Sequence, residues 1–118
     1  MRASQYFSAD YADARRRFRE AAAAAGLAVR EYRNPEAAPD GQTLTTDTVR
    51  FGPPDAERLL ILMSGTHGVE GFCGSGLQVG LLSNGIAAES ERSSGAVRGR
   101  RRRWTEHPSI VAVRPAAW

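Results

Sequence analysis

Lysine is absent from this 118-residue chain: all 16 basic residues are arginine, a bias that fits GC-rich coding and carries no function by itself. A single cysteine, Cys73, excludes an internal disulfide framework and a four-cysteine zinc site. Long apolar runs are missing too. The longest, Ala21–Ala25 and Leu59–Met63, fall far short of the roughly 20 residues a membrane helix needs. The first ten residues carry no apolar signal-peptide core, so a cytoplasmic protein without membrane contact is expected. What is present is ordinary for one small domain: 42% apolar and 25% charged residues, with a net charge of +3.

That charge is uneven. Residues 1–88 hold nine arginines against ten acids, whereas residues 89–118 hold seven against three. The shift near Glu89 coincides with a loss of hydrophobic pattern, which divides the chain into a domain over 1–88 and a basic low-complexity tail over 89–118.

Within the first part, Tyr11, Ala14, Phe18, Ala21 or Ala22, and Ala25 recur at helical spacing. Ser8 is the expected N-cap, and Gly26 the stop. Arg15, Arg16, Arg17 and Arg19 suit a solvated helix face better than an anion site. Leu27–Tyr32 alternates as a strand, and Asn34–Gly41, with two prolines and an Asp-Gly step, reads as a loop. Thr43–Phe51 reads as a half-buried strand pairing antiparallel with the first. Leu59–Met63 is apolar without interruption, as for a strand buried on both faces. A helix is expected over Phe72–Ser83, with Gly76 and Gly80 letting it approach the sheet closely. The order is that of an α/β fold.

The chemistry concentrates in Ser64–Gly71, at the C-terminal end of the apolar strand, the edge where open α/β sheets favour ligand sites. His67 and Glu70 form a His-x-x-Glu pair. Imidazole and carboxylate both suit zinc, and Gly65, Gly68 and Gly71 permit a sharp loop. A hydrogen-bonded loop histidine is the alternative. Cys73 lacks an orienting base and reads as a small buried residue. Ser75 does not sit in a Gly-x-Ser-x-Gly elbow, because Cys73 fills the first glycine position. Gly74-Ser-Gly76-Leu-Gln-Val-Gly80 is one residue too long for a dinucleotide loop.

The stretch from Ser64 to Gly76, together with Tyr6–Tyr11, Asn34-Pro35 and Asp40-Gly41, resembles a bacterial family of proteins of unknown function. That family is similar to zinc carboxypeptidases and to the succinylglutamate desuccinylase and aspartoacylase group. The resemblance covers about residues 5–88. It implies the N-terminal fragment of a zinc carboxypeptidase-like mixed sheet flanked by helices, with His67 and Glu70 as the first two zinc ligands. It also implies metal-assisted hydrolysis of a peptide or N-acyl amino acid, using a distal histidine as third ligand and a distal glutamate as general base. This chain offers no match for either. Its other histidine, His107, lies in a Thr-Glu-His-Pro context and reads as a tail residue. No catalytic residue is therefore assigned, and a weak or incomplete zinc site on an inactive chain is expected.

The tail is expected to be irregular, either disordered or translated from a shifted reading frame. Ile110–Val113 could make a short strand, though Pro108 and Pro115 bracket it. The alternative function is a small nucleic-acid-binding protein, with Arg98–Arg103 on phosphates and Trp104 stacking on a base. Exposed sheet edges in a partial domain would favour self-association.

Overall fold

A computed structural model describes residues 2–66, 70–86 and 109–114. After a 3₁₀ turn (Ala3–Tyr6), helix α1 spans Tyr11–Ala24. Its N-cap is Asp10 rather than Ser8: the Asp10 carboxylate accepts a 2.8 Å bond from the Asp13 amide. A carboxylate placed there also complements the positive end of the helix dipole. Ala14, Phe18, Ala21 and Ala22 are buried at the expected spacing. The helix ends at Gly26, whose φ of 72° suits a residue without Cβ. There the Gly26 amide reaches the Ala23 carbonyl and the Leu27 amide reaches that of Ala22.

Strands β1 (Val29–Ala37) and β2 (Thr43–Phe51) form an antiparallel hairpin in which Val29 pairs with Val49 and Arg33 with Thr45. The stretch from Asn34 was expected to be a loop, yet β1 continues to Ala37 with a register shift between Arg33 and Ala37. Pro35 cannot donate to a ladder, and the irregularity takes it up. Asn34 Oδ1 accepts the Glu36 amide across it. Only the tip, around Gly41 at φ 80°, is turn.

Strand β3 (Leu59–Met63) precedes helix α2 (Gly71–Ser83), and strand β4 (Ser109–Arg114) comes last. The sheet order is β1-β2-β4-β3. Part of the span expected to be irregular is therefore a strand, and a central one. β4 runs antiparallel to β2, from Phe51 against Ile110 to Asp47 against Arg114, and parallel to β3, from Leu59 against Ser109 to Met63 against Val113.

This arrangement overturns the expectation that β3 is buried on both faces. Among the described residues β3 has one neighbour and lies at the sheet edge, with Leu59, Ile61 and Met63 54–60% exposed and Leu60 44% exposed. Both helices pack on one face of the sheet. Phe18, Ala21 and Ala22 of α1 meet Val79 and Leu82 of α2 over Val49 and Phe51 of β2 in a single core. Burying a side chain such as Phe18 contributes about 1.5–3 kcal/mol. The register puts Leu60 and Leu62 on that core face, in line with Phe51 and Val49. It puts Ile61 and Met63 on the opposite face, in line with Arg50 and Thr48. No helix among the described residues is long and apolar enough to cross a membrane.

Candidate metal-binding loop

The loop after β3 is closed at its neck by contacts that only small residues allow. Gly65 adopts φ 74°. A Cβ on Gly71 would lie 2.7 Å from the Gly65 Cα, and one on Gly74 would lie 3.0 Å from the Ser64 Cβ. The first turn of α2 therefore lies directly against the end of β3. Gln78 pins the two together: its amide nitrogen donates to the Leu62 carbonyl at 2.9 Å, and its carbonyl oxygen accepts from the buried Ser64 hydroxyl at 2.9 Å. Sequence reading missed Gln78. Its one signal was a lone amide side chain in the otherwise apolar stretch Leu77–Leu82.

Glu70 stands at the head of α2 in helical conformation, with its carbonyl accepting the Cys73 amide at 3.2 Å. Its side chain is exposed and makes no capping bond to the helix. The carboxylate is thus presented at the C-terminal edge of β3, available to a cation. His67, its expected co-ligand, lies outside the described residues, as do His107 and Arg98–Trp104. Among the described residues no three histidines, cysteines or acids come together as a metal site. Among the described residues the fit to zinc is therefore partial: one accessible carboxylate on a tightly fixed neck, with no further ligand beside it.

Neighbouring residues separate by role. Cys73 is exposed, not buried as expected. Ser75 is 2% exposed and its hydroxyl has no partner among the described residues, so it is no accessible nucleophile. Gly76 and Gly80 permit close approach, but to the N-terminal aromatics instead of the sheet. Added Cβ atoms would meet the Phe7 ring at 2.5 Å and the Tyr6 ring at 3.2 Å. A cleft of about 410 Å³, lined by Asp10, Tyr11, Asp40, Leu44 and Phe72 among others, opens two residues beyond Glu70. Its two acids disfavour a carboxylate-bearing ligand.

The arginines of α1 are engaged with acids. Arg15 donates to Asp47 at 3.1 Å and to Glu31 at 2.6 Å, and Arg19 reaches Glu31 at 3.0 Å. Arg16 and Arg17 hold Asp13, and Arg16 also holds Glu20. The hydrogen bond from Arg17 is the main cause holding the Asp13 carboxyl below its ordinary pKa, and it outweighs desolvation. Glu20 and then Asp13 raise that of Arg16. Asp47 is fully buried and also accepts the Thr45 hydroxyl at 3.1 Å. The Tyr11 hydroxyl accepts the Thr45 amide at 2.8 Å. The contacts of Arg15, Arg19 and Tyr11 fasten α1 to the hairpin, whereas the ion pairs of Arg16 and Arg17 lie within the helix.

Two solved structures are similar to this chain over part of their length. Fimbriiglobus ruber glutaminyl cyclase superposes with a TM-score of 0.50 at 12% identity, over 85% of this chain and 35% of that one. Porphyromonas gingivalis glutaminyl cyclase does so with a TM-score of 0.49 at 17% identity, over 93% of this chain and 45% of that one. The first likeness shows a common fold, and this chain spans less than half the length of either protein. No curated protein matches its sequence. A family model described as "Protein of unknown function (DUF2817)" matches residues 7–97, past the charge shift at Glu89. That match takes in the hairpin, β3, the candidate loop and α2, and the chain belongs to the DUF2817 family.

Proposed function

We propose that this chain carries the first ligand-bearing strand–loop–helix unit of a zinc-dependent amide hydrolase, and that it is inactive by itself. The observation that carries the reading is the exposed Glu70 carboxylate, held at the end of β3 by the Gly65–Gly71 contact. Glu70 and His67 would hold the metal. Zinc, when bound in such a site, supplies Lewis acidity and an activated water. The chain's own contribution is positional. Ser64 and Gln78 fix the strand end, the glycine neck brings α2 against it, and Glu70 stays free of the helix it heads.

A catalytic zinc needs three protein ligands and an open position. Two donors leave the metal weakly held, and no general base is assigned. The resemblance to zinc carboxypeptidases and the desuccinylase group supplies the substrate class for an intact relative: a peptide or N-acyl amino acid. The named fold neighbours act on glutaminyl groups, but at 12% identity the likeness carries the fold and not the reaction. A cytoplasmic setting suits a chain whose single cysteine builds no disulfide. The nucleic-acid alternative, resting on Arg98–Trp104, has no support in the described residues or in the comparisons.

The test is zinc calorimetry on the wild type, His67→Ala, Glu70→Gln and Cys73→Ser. Weak binding by the wild type, lost in the first two variants and retained in the third, is the expected result. Equal binding by wild type and His67→Ala sinks the assignment. Loss only in Cys73→Ser would move the site to the exposed thiol.

A further inference from the structure

We infer that the cleft beside Glu70 binds a basic group, an ammonium or guanidinium on an apolar stem. It thereby directs the site toward peptides with a basic residue next to the scissile amide, a substrate class that rests on the hydrolase reading of the same site. The cleft holds about 410 Å³, inside the roughly 300–1,000 Å³ of small-molecule pockets. Asp10 and Tyr11 at the head of α1, Pro39 and Asp40 at the hairpin tip, Leu44 of β2 and Phe72 of α2 form its walls. The whole lining lies between residues 9 and 72, so the hollow needs nothing from the chain that follows α2.

The walls and the charges suit the two ends of one ligand. Leu44, Pro39, Tyr11 and Phe72 give an apolar lining, and aromatic rings hold cations as well as apolar stems. Two acids belong to the lining and no arginine does. That sets the cleft apart in this chain, where Asp13, Glu20, Glu31 and Asp47 each meet an arginine. Among the described residues Asp10 and Asp40 meet none. Each commits Oδ1 to a backbone amide, Asp10 to that of Asp13 at 2.8 Å and Asp40 to that of Gln42 at 3.0 Å. Their Oδ2 atoms have no hydrogen-bond partner among the described residues. A cation entering the cleft is offered charge-assisted hydrogen bonds there, whereas a carboxylate is repelled.

The cleft also lies where a substrate side chain would fall. Phe72 follows Glu70 by two residues at the head of α2, less than one helical turn away. A substrate held at Glu70 through a metal therefore has this hollow beside it. A basic side chain lays its stem on the apolar walls and its charge against the acids. An N-acyl amino acid brings its own carboxylate toward the same two acids, so of the two substrate classes the basic peptide is the one this cleft favours.

The experiment titrates the isotope-labelled full chain, free of metal, with benzamidine, benzamide and benzoate, which share a ring and differ in charge. Amide NMR shifts at Leu44 and Phe72 report on the cleft itself. Benzamidine should move them in a saturable way, benzamide more weakly, and benzoate not at all. Asp10→Asn with Asp40→Asn removes both charges and keeps an oxygen for each backbone amide, because asparagine caps and turns as aspartate does. In that variant benzamidine should bind about tenfold more weakly, near the level of benzamide. Unmoved cleft amides, benzoate binding there as tightly as benzamidine, or unchanged benzamidine affinity in the double variant would each overturn the proposal. Should the change at Asp10 disturb α1, Asp40→Asn alone, at the exposed hairpin tip, decides the matter. With no metal in the titration, a failed zinc assignment leaves its result standing, and a failed titration leaves the zinc assignment standing.

Discussion

At the scale of single residues, the Arg15–Asp47 pair shows how burial distributes the cost of a broken contact. Asp47 is fully buried and Arg15 is 28% exposed at the side chain. Arg15→Met removes the closest cation from a buried carboxylate. It should destabilise by a value near the lower end of the roughly 3–5 kcal/mol typical of an uncompensated buried charge, because the Thr45 hydroxyl and Arg19 remain. Asp47→Asn leaves Arg15 paired with Glu31 and partly solvated, so about 1–2 kcal/mol is expected. Urea denaturation of the two variants checks this, and the reverse ranking would refute it. None of this was visible in the sequence. Asp47 sits in a run of threonines and looks like one more polar position of a half-buried strand. Its burial depends on which helix face crosses above it. The reading of Glu70 as a ligand rests on glycine spacing and ligand chemistry, which are local properties, whereas a third ligand depends on tertiary structure, and none joins Glu70 among the described residues.

Among the elements, helix α1 invites a direct comparison of caps. Asp10→Ala should cost roughly 1 kcal/mol, and Ser8→Ala close to nothing, since the Ser8 hydroxyl has no partner to lose among the described residues. Thermal melts followed by circular dichroism distinguish the two, and equal effects would restore Ser8 as the cap. The same helix should lose support in acid. The Asp13 carboxyl titrates lower when folded, so its contribution is complete above its unfolded pKa and disappears as pH falls through the lowered folded value. Asp13→Asn should flatten that part of the stability curve. The elements themselves read well from sequence: β2 and β3 begin and end where their β-branched and apolar runs do, and α2 starts one residue early. Ser8 misled because serine and aspartate cap equally well, and composition alone does not choose between positions 8 and 10. The burial of β3 could not be read at all, because an apolar run records what a strand tolerates and not how many neighbours it has.

For the molecule as a whole, β4 decides what the last part of the chain is for. If residues 90–118 were a solvated tail, removing the final ten would leave the fold unchanged. In this sheet the same deletion takes out the strand that joins β2 to β3, so β3 and the loop after it lose their anchorage. A chain ending at residue 108 should show lower strand content and a shallower, earlier urea transition than the full chain, and indistinguishable curves would return β4 to the status of a tail. Translating all three frames of the locus from codon 80 bears on the same stretch. A different frame that continues with an apolar strand and a distal histidine would make the present tail a substitute for the family's own continuation. The position of β4 also sets the order of events during synthesis. The ribosome delivers α1 and the β1–β2 hairpin first, and these can close on one another at once. Leu59–Met63 emerges next, with nothing yet made to lie beside it, and must wait until Arg114 has left the exit tunnel. Throughout that interval an uncharged five-residue strand lies open, and holdase chaperones, or the same strand on a neighbouring nascent chain, compete with the partner it has not yet met.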